Sequence, residues 1–209
     1  MGRGVLTLRD LEAIPANGEI TVPTGTIITP LARDEASARG IAIRFEDAKG
    51  KDVGADGGVR GTIAMGADHG GFDLKEELRK HLSEWGYTVL DLGTSSREAV
   101  DYPDFAEAVA NAVARGEAWR GVVIDSAGIG SSIAANKVPG ARAALCYDRA
   151  TARNSREHND ANILSLGARL ISPEVAREIL AVWLETPFAG GRHQRRVDKI
   201  IAIEKRHRS

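Results

Sequence analysis

Apolar and polar positions follow a weak pattern in the first 60 residues of the chain and a strong one after them. Short apolar runs bounded by Gly, Asp and Asn predict strands, and runs with apolar residues three to four positions apart predict amphipathic helices. After residue 60 these two kinds of run alternate. The predicted strands are 61–68, 87–93, 119–128, 141–148 and 162–168, and the predicted helices are 72–86, 104–117, 133–138, 151–159, 172–187 and 193–207.

This alternation predicts an α/β fold with a doubly wound parallel sheet. Right-handed crossovers would place helices on both faces, in a Rossmann-like arrangement of three layers. The run Val122–Ile124 is apolar throughout, which is typical of a buried parallel strand. Ligands of such sheets bind beyond the carboxyl ends of the strands, and we expect every candidate motif to lie at that edge.

The N-terminal part has a sparser pattern. We predict a small module over 1–46, a flexible linker over the Gly- and Asp-rich segment 47–61, and the main domain over 62–209. About 46 residues bury only a small core, so we expect contacts with the main domain or with a partner to stabilise the module. Within it we predict one or two helical turns at 6–14, a strand at 19–30 that is broken at Pro23, a helix at 31–40 and a strand at 41–45.

Composition restricts the partners and the compartment. The chain has 28 basic and 29 acidic residues, a net charge of -1, which gives no reason to expect nucleic acid or an acidic membrane as a partner. Its one cysteine, Cys146, excludes an intrachain disulfide and suits a reducing compartment. No apolar run approaches the ~20 residues of a membrane helix, and a secretory signal is missing at the N-terminus. We therefore expect a cytoplasmic protein.

Two motifs directly follow predicted strands. In the first, Asp68 and His69 precede Gly70 and Gly71, which let backbone amides approach a ligand at a helix N-terminus that favours anions. His69 would bind a phosphate and Asp68 sugar hydroxyls. The alternative is an Asp that caps the helix beside a surface His.

The second motif is the glycine turn at 125–132, DSAGIGSS. Amides that converge on a concave turn stabilise a developing oxyanion. The turn is neither a Walker loop nor a complete dinucleotide fingerprint. Asp125 lies at its rim, where a carboxylate suits a general base. The alternative is that Asp125 caps the turn that follows.

Two further motifs are polar or basic. His158 and Asn159 offer a proton donor and an amide in one loop, unless they only end a polar helix. Residues 190–196, GGRHQRR, combine cations with a helix start, as in an anion site, or form a solvated basic turn. The histidines are scattered and metal-binding motifs are missing, so we expect no metal and no cofactor. Together the motifs suggest proton transfer on a phosphorylated carbonyl compound.

Five ordered segments carry a resemblance to a known family. They resemble type B ribose-5-phosphate isomerases and galactose-6-phosphate isomerase subunits, over residues 62–206. The resemblance implies a metal-independent aldose–ketose isomerase that acts on a small phosphorylated sugar through an enediolate. It also implies a homodimer, or a dimer of dimers, with active sites shared between subunits. The segments are DHGGFDLKEEL, DYPDFA, GIGSSIAANKVPGARAAL, NSREHNDANIL and GGRHQRRV.

The resemblance also implies a role for each matching residue. Asp68 and Tyr102 would contact the sugar, and His158 would help to open its ring. The remaining implied roles are phosphate binding by His69, Arg169, His193 and Arg196, and stabilisation of the enediolate oxygen by Asn159 and the turn amides of Gly128, Ile129, Gly130, Ser131 and Ser132.

The chain departs from the family at the base. Many members have a Cys where this chain has Asp125, and a subgroup has a Glu where it has Ser131. Asp125 is the only carboxylate at either position, so we predict that it moves the proton. The usual hydroxyl of the ring-opening step is replaced by Ala127, so either His158 opens the ring or the substrate is already open-chain. The sugar is therefore not fixed, and a sugar-phosphate-binding protein without isomerase activity is the alternative.

The segment ITPLARDEASARGI, residues 28–41, resembles segments of proteins encoded with bacterial microcompartments. That resemblance implies a shell or enzyme partner for residues 1–46 and a location inside a microcompartment. The alternative is an extension that stabilises a dimer.

Overall fold

In a computed structural model the chain forms two compact units, residues 1–60 and 61–209. None of the described helices is long and apolar enough to cross a membrane. The residues described are 5–23, 26–28, 32, 35–36, 39–46, 52–53 and 60–207.

The N-terminal unit contains two small sheets. β1 pairs with β3 in parallel, β2 pairs with β4 in parallel, and β5 pairs with β4 antiparallel. The predicted break at Pro23 separates β2 from β3, whereas β5 lies inside the predicted linker and is paired. The helix predicted over 31–40 falls largely outside the described residues. The elements are β1 (Val5–Leu6), α1 (Leu8–Glu12), β2 (Glu19–Pro23), β3 (Ile27–Ile28), β4 (Ala42–Glu46) and β5 (Asp52–Val53).

The second unit alternates strands and helices from β6 to the C-terminus, as predicted. Its elements are β6 (Arg60–Ala67), α2 (Phe72–Glu84), β7 (Tyr87–Asp91), α3 (Tyr102–Ala114), β8 (Arg120–Asp125), α4 (Ile129–Ala135), β9 (Ala143–Leu145), α5 (Arg149–Asn159), β10 (Ile163–Gly167), α6 (Pro173–Glu185), a 3₁₀ turn (Gly191–His193) and α7 (Gln194–Arg206).

The sheet has the strand order β7-β6-β8-β10-β9, and the pairs β6–β8, β8–β10 and β10–β9 are parallel. In the sheet, β7 lies on one side of β6, and β8, the next strand along the chain, lies on its other side. The direction in which successive strands are added thus reverses at β6. The carboxyl ends of β6 and β8 therefore flank the point where the direction of building reverses, which is where such sheets form a ligand crevice.

The core lies on both faces of this sheet. Every residue of β8 is buried. Val122 and Ile124 pack with Leu78 of α2 on one face, and Val123 packs with Val109 of α3 on the other. Alternate residues of a strand point to opposite faces, so an apolar run is buried only where helices cover both. The predicted α/β fold with a doubly wound parallel sheet is confirmed.

Candidate active site

Asp68 and His69 lie at the carboxyl edge, directly after β6. Asp68 is buried, and its Oδ1 accepts a hydrogen bond of 3.0 Å from the N–H of Gly71. His69 is exposed, and its Nδ1 atom lies 3.2 Å from both the backbone nitrogen and the carbonyl oxygen of Val100. Either neutral tautomer of the ring is therefore held through Nδ1, as an acceptor from the N–H or as a donor to the carbonyl.

Close backbone approaches join this loop to the glycine turn. A Cβ atom at Gly70 would overlap the hydroxyl oxygen of Ser126, and one at Gly71 would overlap the carbonyl oxygen of Ile124, so this loop packs closely on the end of β8 and the start of the turn. The N–H of Arg169, which follows β10, donates to the carbonyl of Ser126 at 3.0 Å. These contacts gather the Asp68 loop and the backbone of Arg169 around the turn.

Tyr102, the first residue of α3, lies against the same turn. A Cβ atom at Gly130 would lie 2.5 Å from Tyr102 Cζ and 2.8 Å from its hydroxyl oxygen. The phenol is 39% exposed, so it covers the turn and still faces solvent. The hydroxyl of Tyr102 therefore lies at the turn beside which the resemblance implies that the sugar binds.

Asp125 is buried at the end of β8 and receives four hydrogen bonds from its own turn. Its Oδ1 atom accepts from the N–H groups of Ala127, at 2.8 Å, and Gly128. Its Oδ2 atom accepts from the N–H of Ser131 at 2.9 Å and from the hydroxyl of Ser131 at 2.5 Å. The carboxylate thus caps the turn, which is the alternative role considered for it, and its acceptor positions are filled in this conformation.

Helix α4 begins at Ile129, inside the turn, and not at residue 133 as predicted. The error matters because the first amides of a helix have no partner within it. Ser131 donates to Asp125, and Ser132 donates to the carbonyl of Gly128. Within the described range 60–207, the N–H groups of Ile129 and Gly130 make no hydrogen bond and are open to a ligand oxyanion.

Two hydroxyl groups that the sequence did not single out also hold the turn. The hydroxyl of Tyr147 donates to the carbonyl of Ala127 at 2.9 Å. The hydroxyl of Ser165, which is fully buried in β10, donates to the carbonyl of Gly128 at 2.6 Å. Both bonds join residues that are far apart in the chain, so no local pattern indicated them.

His158 and His193 form a second cluster. Their rings stack with centroids 4.2 Å apart. Asn154 donates to His158 Nδ1 at 2.8 Å, which leaves the proton of the neutral ring on Nε2. Arg192 donates to His193 Nε2 at 3.3 Å. Arg196 is exposed nearby and adds positive charge at the same place.

This second cluster lies at the amino edge of the sheet, which corrects the expectation that every motif lies at the carboxyl edge. Helix α5 runs back from the end of β9, so His158 and Asn159 precede β10. The loop after them pairs with the strand starts, since Asn162 accepts from the N–H of Gly121 at 2.9 Å. The N–H of Ala189 in turn donates to the carbonyl of Glu157 at 3.0 Å, which brings residues 190–196 to the same edge.

The two clusters are therefore separate within one chain. Strand β8 spans six residues, Arg120 to Asp125, or roughly 16 Å between the edges. No hydrogen bond or ring contact among the described residues joins His158 or His193 to Asp68 or Asp125. One chain thus holds two separate clusters, named half-sites below: the carboxylates with the open amides, and the histidines with the arginines.

A groove of about 480 Å³ adjoins the amino-edge cluster. Asn159 lies on its wall beside Ile200 and Ile203 of α7, whose side chains are 43% and 50% exposed. On the other half-site, Ile129 and Ile133 of α4 are 50% and 57% exposed. Both half-sites therefore carry large apolar side chains that the chain itself leaves uncovered.

Burial and charge shift the pKa of two groups near these half-sites. The pKa of His193 is lowered, first by desolvation and then by electrostatic repulsion from His158, Arg192 and Arg196. The pKa of the Cys146 thiol is raised because the side chain is buried in the core. Neither shift favours a charged group, so His193 is held neutral and Cys146 is held as a thiol.

Among the described residues, His, Cys, Asp and Glu side chains form no group of three that could hold a metal ion.

The ribose/galactose isomerase family model matches residues 63–200. The chain belongs to this family. Ribose-5-phosphate isomerase B of Escherichia coli strain K12 is 50% identical over 144 residues, which cover 69% of this chain and 97% of that protein. D-erythrulose-4-phosphate isomerase of Pectobacterium atrosepticum is 42% identical over 140 residues, covering 66% of this chain and 92% of that protein.

Solved structures of family members agree with the fold. Ribose-5-phosphate isomerase B of Clostridium thermocellum has a TM-score of 0.69 at 54% identity, covering 70% of this chain and 99% of that chain. The Mycoplasma genitalium enzyme with bound ribulose-5-phosphate has a TM-score of 0.67 at 40% identity, covering 69% and 96%. The predicted family, and with it the class of aldose–ketose isomerases of sugar phosphates, is confirmed. The N-terminal module lies outside these matches.

Proposed function

We propose that the protein interconverts the aldose and ketose forms of a small phosphorylated sugar, without a metal or cofactor, and that Asp125 is the general base. The observation that carries this proposal is the position of Asp125. It ends the central strand β8 at the crevice, in the same turn as the open amides of Ile129 and Gly130. Family membership supports the reaction class.

The reaction needs a base, an oxyanion site and an acid. Asp125 takes the proton from the carbon next to the carbonyl and returns it to the former carbonyl carbon, while the hydroxyl proton of the first carbon passes to the former carbonyl oxygen. The electron pair of the broken C–H bond forms the carbon–carbon double bond of the enediolate, and negative charge moves to the carbonyl oxygen. The N–H groups of Ile129 and Gly130 stabilise that charge, and His158 donates the proton that opens the ring.

Asp125 must first give up one of its four hydrogen bonds. Three of the donors are backbone N–H groups that the turn fixes. The fourth is the hydroxyl of Ser131, which leaves Oδ2 by rotation about a single side-chain bond. We propose that this rotation opens Oδ2 to the substrate.

The active site would be shared between two copies of the chain. The sheet separates the two half-sites of one chain by roughly 16 Å, too far for one small sugar to touch both. A second copy that brings its amino edge to the carboxyl edge of the first would complete the site. The exposed Ile129 and Ile133 on one half-site and the groove at Ile200 and Ile203 on the other support this pairing, since homodimer interfaces bury apolar side chains.

In the completed site the phosphate would lie among cations from both copies. His69 and Arg169 are exposed at the carboxyl edge of one copy, and His193 and Arg196 lie at the amino edge of the other. Asp68 and Tyr102 would bind the sugar hydroxyls, and Asn159 would join the open amides at the enediolate oxygen. The relatives named above act on sugars of different length, so the sugar itself is left to a screen of pentose, tetrose and hexose phosphates.

The test is exchange of solvent deuterium into the carbon next to the carbonyl during turnover of the best sugar phosphate. Asp125→Asn keeps the acceptor oxygen and removes the base, and we expect exchange and isomerisation to fall about 10²–10⁴-fold. Ser131→Ala keeps the carboxylate and is the matched control, with turnover within about tenfold of the unmodified protein. Full turnover by Asp125→Asn would exclude Asp125 as the base.

The alternative is a sugar-phosphate-binding protein that does not isomerise its ligand. The four hydrogen bonds that saturate Asp125 favour it, because a base without an open acceptor position cannot take a proton. Binding of a sugar phosphate without any deuterium exchange, in the unmodified protein and in Ser131→Ala, would establish this alternative.

For residues 1–46 we propose docking to a microcompartment shell or to a partner enzyme, and the competing role is stabilisation of a dimer. Deletion of these residues separates the two. Docking predicts loss of co-localisation with full catalysis, whereas the structural role predicts loss of dimers or of solubility.

A further inference from the structure

Tyr147 lies two residues after the end of β9, at the carboxyl edge, and is 38% exposed. Its hydroxyl donates to the carbonyl of Ala127 at 2.9 Å. Because β10 lies between β9 and β8 in the sheet, the phenol reaches across the end of β10 to hold the turn that follows β8. This is a long-range contact to the segment that carries Asp125.

The contact continues through one peptide unit to the carboxylate. The carbonyl of Ala127 belongs to the same planar unit as the N–H of Gly128, and that N–H donates to Asp125 Oδ1. A donor on the carbonyl of a peptide unit fixes the orientation of the unit and polarises its N–H, which strengthens the next hydrogen bond by about 10–30%. The hydroxyl of Tyr147 is thereby linked to Asp125 through one rigid group.

We propose that Tyr147 is a positioning residue for Asp125. Its hydroxyl holds the Ala127–Gly128 peptide unit so that Oδ1 is fixed by backbone amides and Oδ2, beside the mobile hydroxyl of Ser131, takes the substrate proton. The hydrogen-bond chain is independent of any activity. Its consequence for catalysis rests on the proposed function, in which Asp125 is the base.

Ser165 supplies a matched comparison in the same turn. Its hydroxyl donates to the carbonyl of Gly128, whose peptide unit contains the N–H of Ile129. That carbonyl also accepts from the N–H of Ser132, so removal of the Ser165 hydroxyl leaves it partnered. Tyr147 and Ser165 thus act on adjacent peptide units with separate amide signals.

The first measurement is NMR of the full-length, ¹⁵N-labelled protein and needs no substrate. In Tyr147→Phe we expect the Gly128 amide proton to move to higher field and to exchange with solvent about threefold faster or more, since its bond to Asp125 weakens. In Ser165→Ala we expect the signal of Ile129 to move and that of Gly128 to stay. An unmoved Gly128 signal in Tyr147→Phe overturns the proposal.

The second measurement separates positioning from a contact with the substrate. We expect Tyr147→Phe to lower kcat about threefold or more with KM within twofold, because the phenol orients the base and does not touch the sugar. A rise in KM at constant kcat would make Tyr147 a substrate contact and overturn the proposal. If the unmodified protein turns over no sugar phosphate, the proposed function fails, while the Gly128 signal still decides the hydrogen-bond chain.

Discussion

At the scale of single residues, the two half-sites differ in how far their buried polar atoms are hydrogen-bonded. Asp125 has a donor at every acceptor position, whereas the buried Nδ1 atom of His193 has no hydrogen-bond partner among the described residues. Protonation of His193 would add a charge to a desolvated ring beside His158 and arginine, which opposes it. The turn therefore satisfies every acceptor position of Asp125, whereas desolvation and nearby cations favour the neutral ring of His193.

This difference predicts a pH dependence of stability. The pKa of His193 is lowered in the folded protein. Just below pH 6.5, about the ordinary pKa of histidine, this side chain therefore binds a proton in the unfolded chain but not in the folded one. The contribution to the free energy of unfolding is therefore fully present above about pH 6.5 and decreases as the pH falls below it. Urea unfolding between pH 5 and 8 measures this decrease, and His193→Gln should make it smaller.

The matched control is His207→Gln, which changes an exposed histidine at the end of α7. We expect it to leave the pH dependence as it is in the unmodified protein. The same pH dependence in His193→Gln and in the unmodified protein would show that the ring of His193 carries no such penalty.

The sequence predicted those site residues that directly follow a strand. Asp68, Asp125 and Arg169 each come after an apolar run, and the parallel topology brings such positions to one edge. Tyr147 and Ser165 were missed because their partners in the turn lie 20 and 37 residues away. A hydroxyl group whose role is a hydrogen bond to a distant backbone carbonyl cannot be predicted from the local pattern of apolar and polar residues.

At the scale of elements, the seven-residue helix α4 organises the carboxyl half-site. It begins directly after Gly128, which adopts a left-handed conformation with φ of 77°. A Cβ atom at this position would lie 2.5 Å from Leu145 Cδ1 and 2.8 Å from the carbonyl carbon of Leu166. The turn therefore packs directly on the ends of β9 and β10, and only glycine meets both the conformational and the steric requirement.

Gly128→Ala should therefore be more destabilising than the replacement of a left-handed glycine that has open space around it. Gly116 provides the control, because it has a φ of 73° and a Cβ atom there would meet nothing within 4 Å. We expect Gly116→Ala to cost about 1–2 kcal/mol and Gly128→Ala about 1–3 kcal/mol more. Chemical denaturation measures both. Equal losses would mean that the turn does not pack tightly on the strand ends.

Whether a motif lies at the carboxyl or the amino edge of the sheet depends on whether a strand or a helix precedes it in the chain. The prediction placed all four motifs at the carboxyl edge, which is correct for the two that follow strands. Asn159 ends a helix that was itself predicted over 151–159, and a helix of a doubly wound sheet returns the chain to the amino edge. The signal for the correct edge was therefore present in the sequence.

At the scale of the whole molecule, the sheet separates the residues to which we assign the reaction. The proposed base and the open amides lie at one edge of the second unit, and the proposed acid and the cations lie at the other, with β8 between them. In a dimer with a twofold axis, the carboxyl edge of each copy would meet the amino edge of the other. Both active sites would therefore be completed at once. The family resemblance implied shared sites, whereas the residue pattern alone did not, because all five family motifs occur in a single chain.

Complementation between two inactive variants would show whether two copies of the chain share each active site. Asp125→Asn and His158→Asn would each damage every site of a homodimer. In a mixed dimer one site would carry both substitutions and the other none, so random mixing of equal amounts should restore about a quarter of the isomerase activity of the unmodified protein. Co-expression with two affinity tags, followed by assay of the doubly tagged fraction, isolates the mixed dimer. Activity in that fraction at about half the unmodified level is the predicted result, and a doubly tagged fraction as inactive as either parent would contradict the shared site.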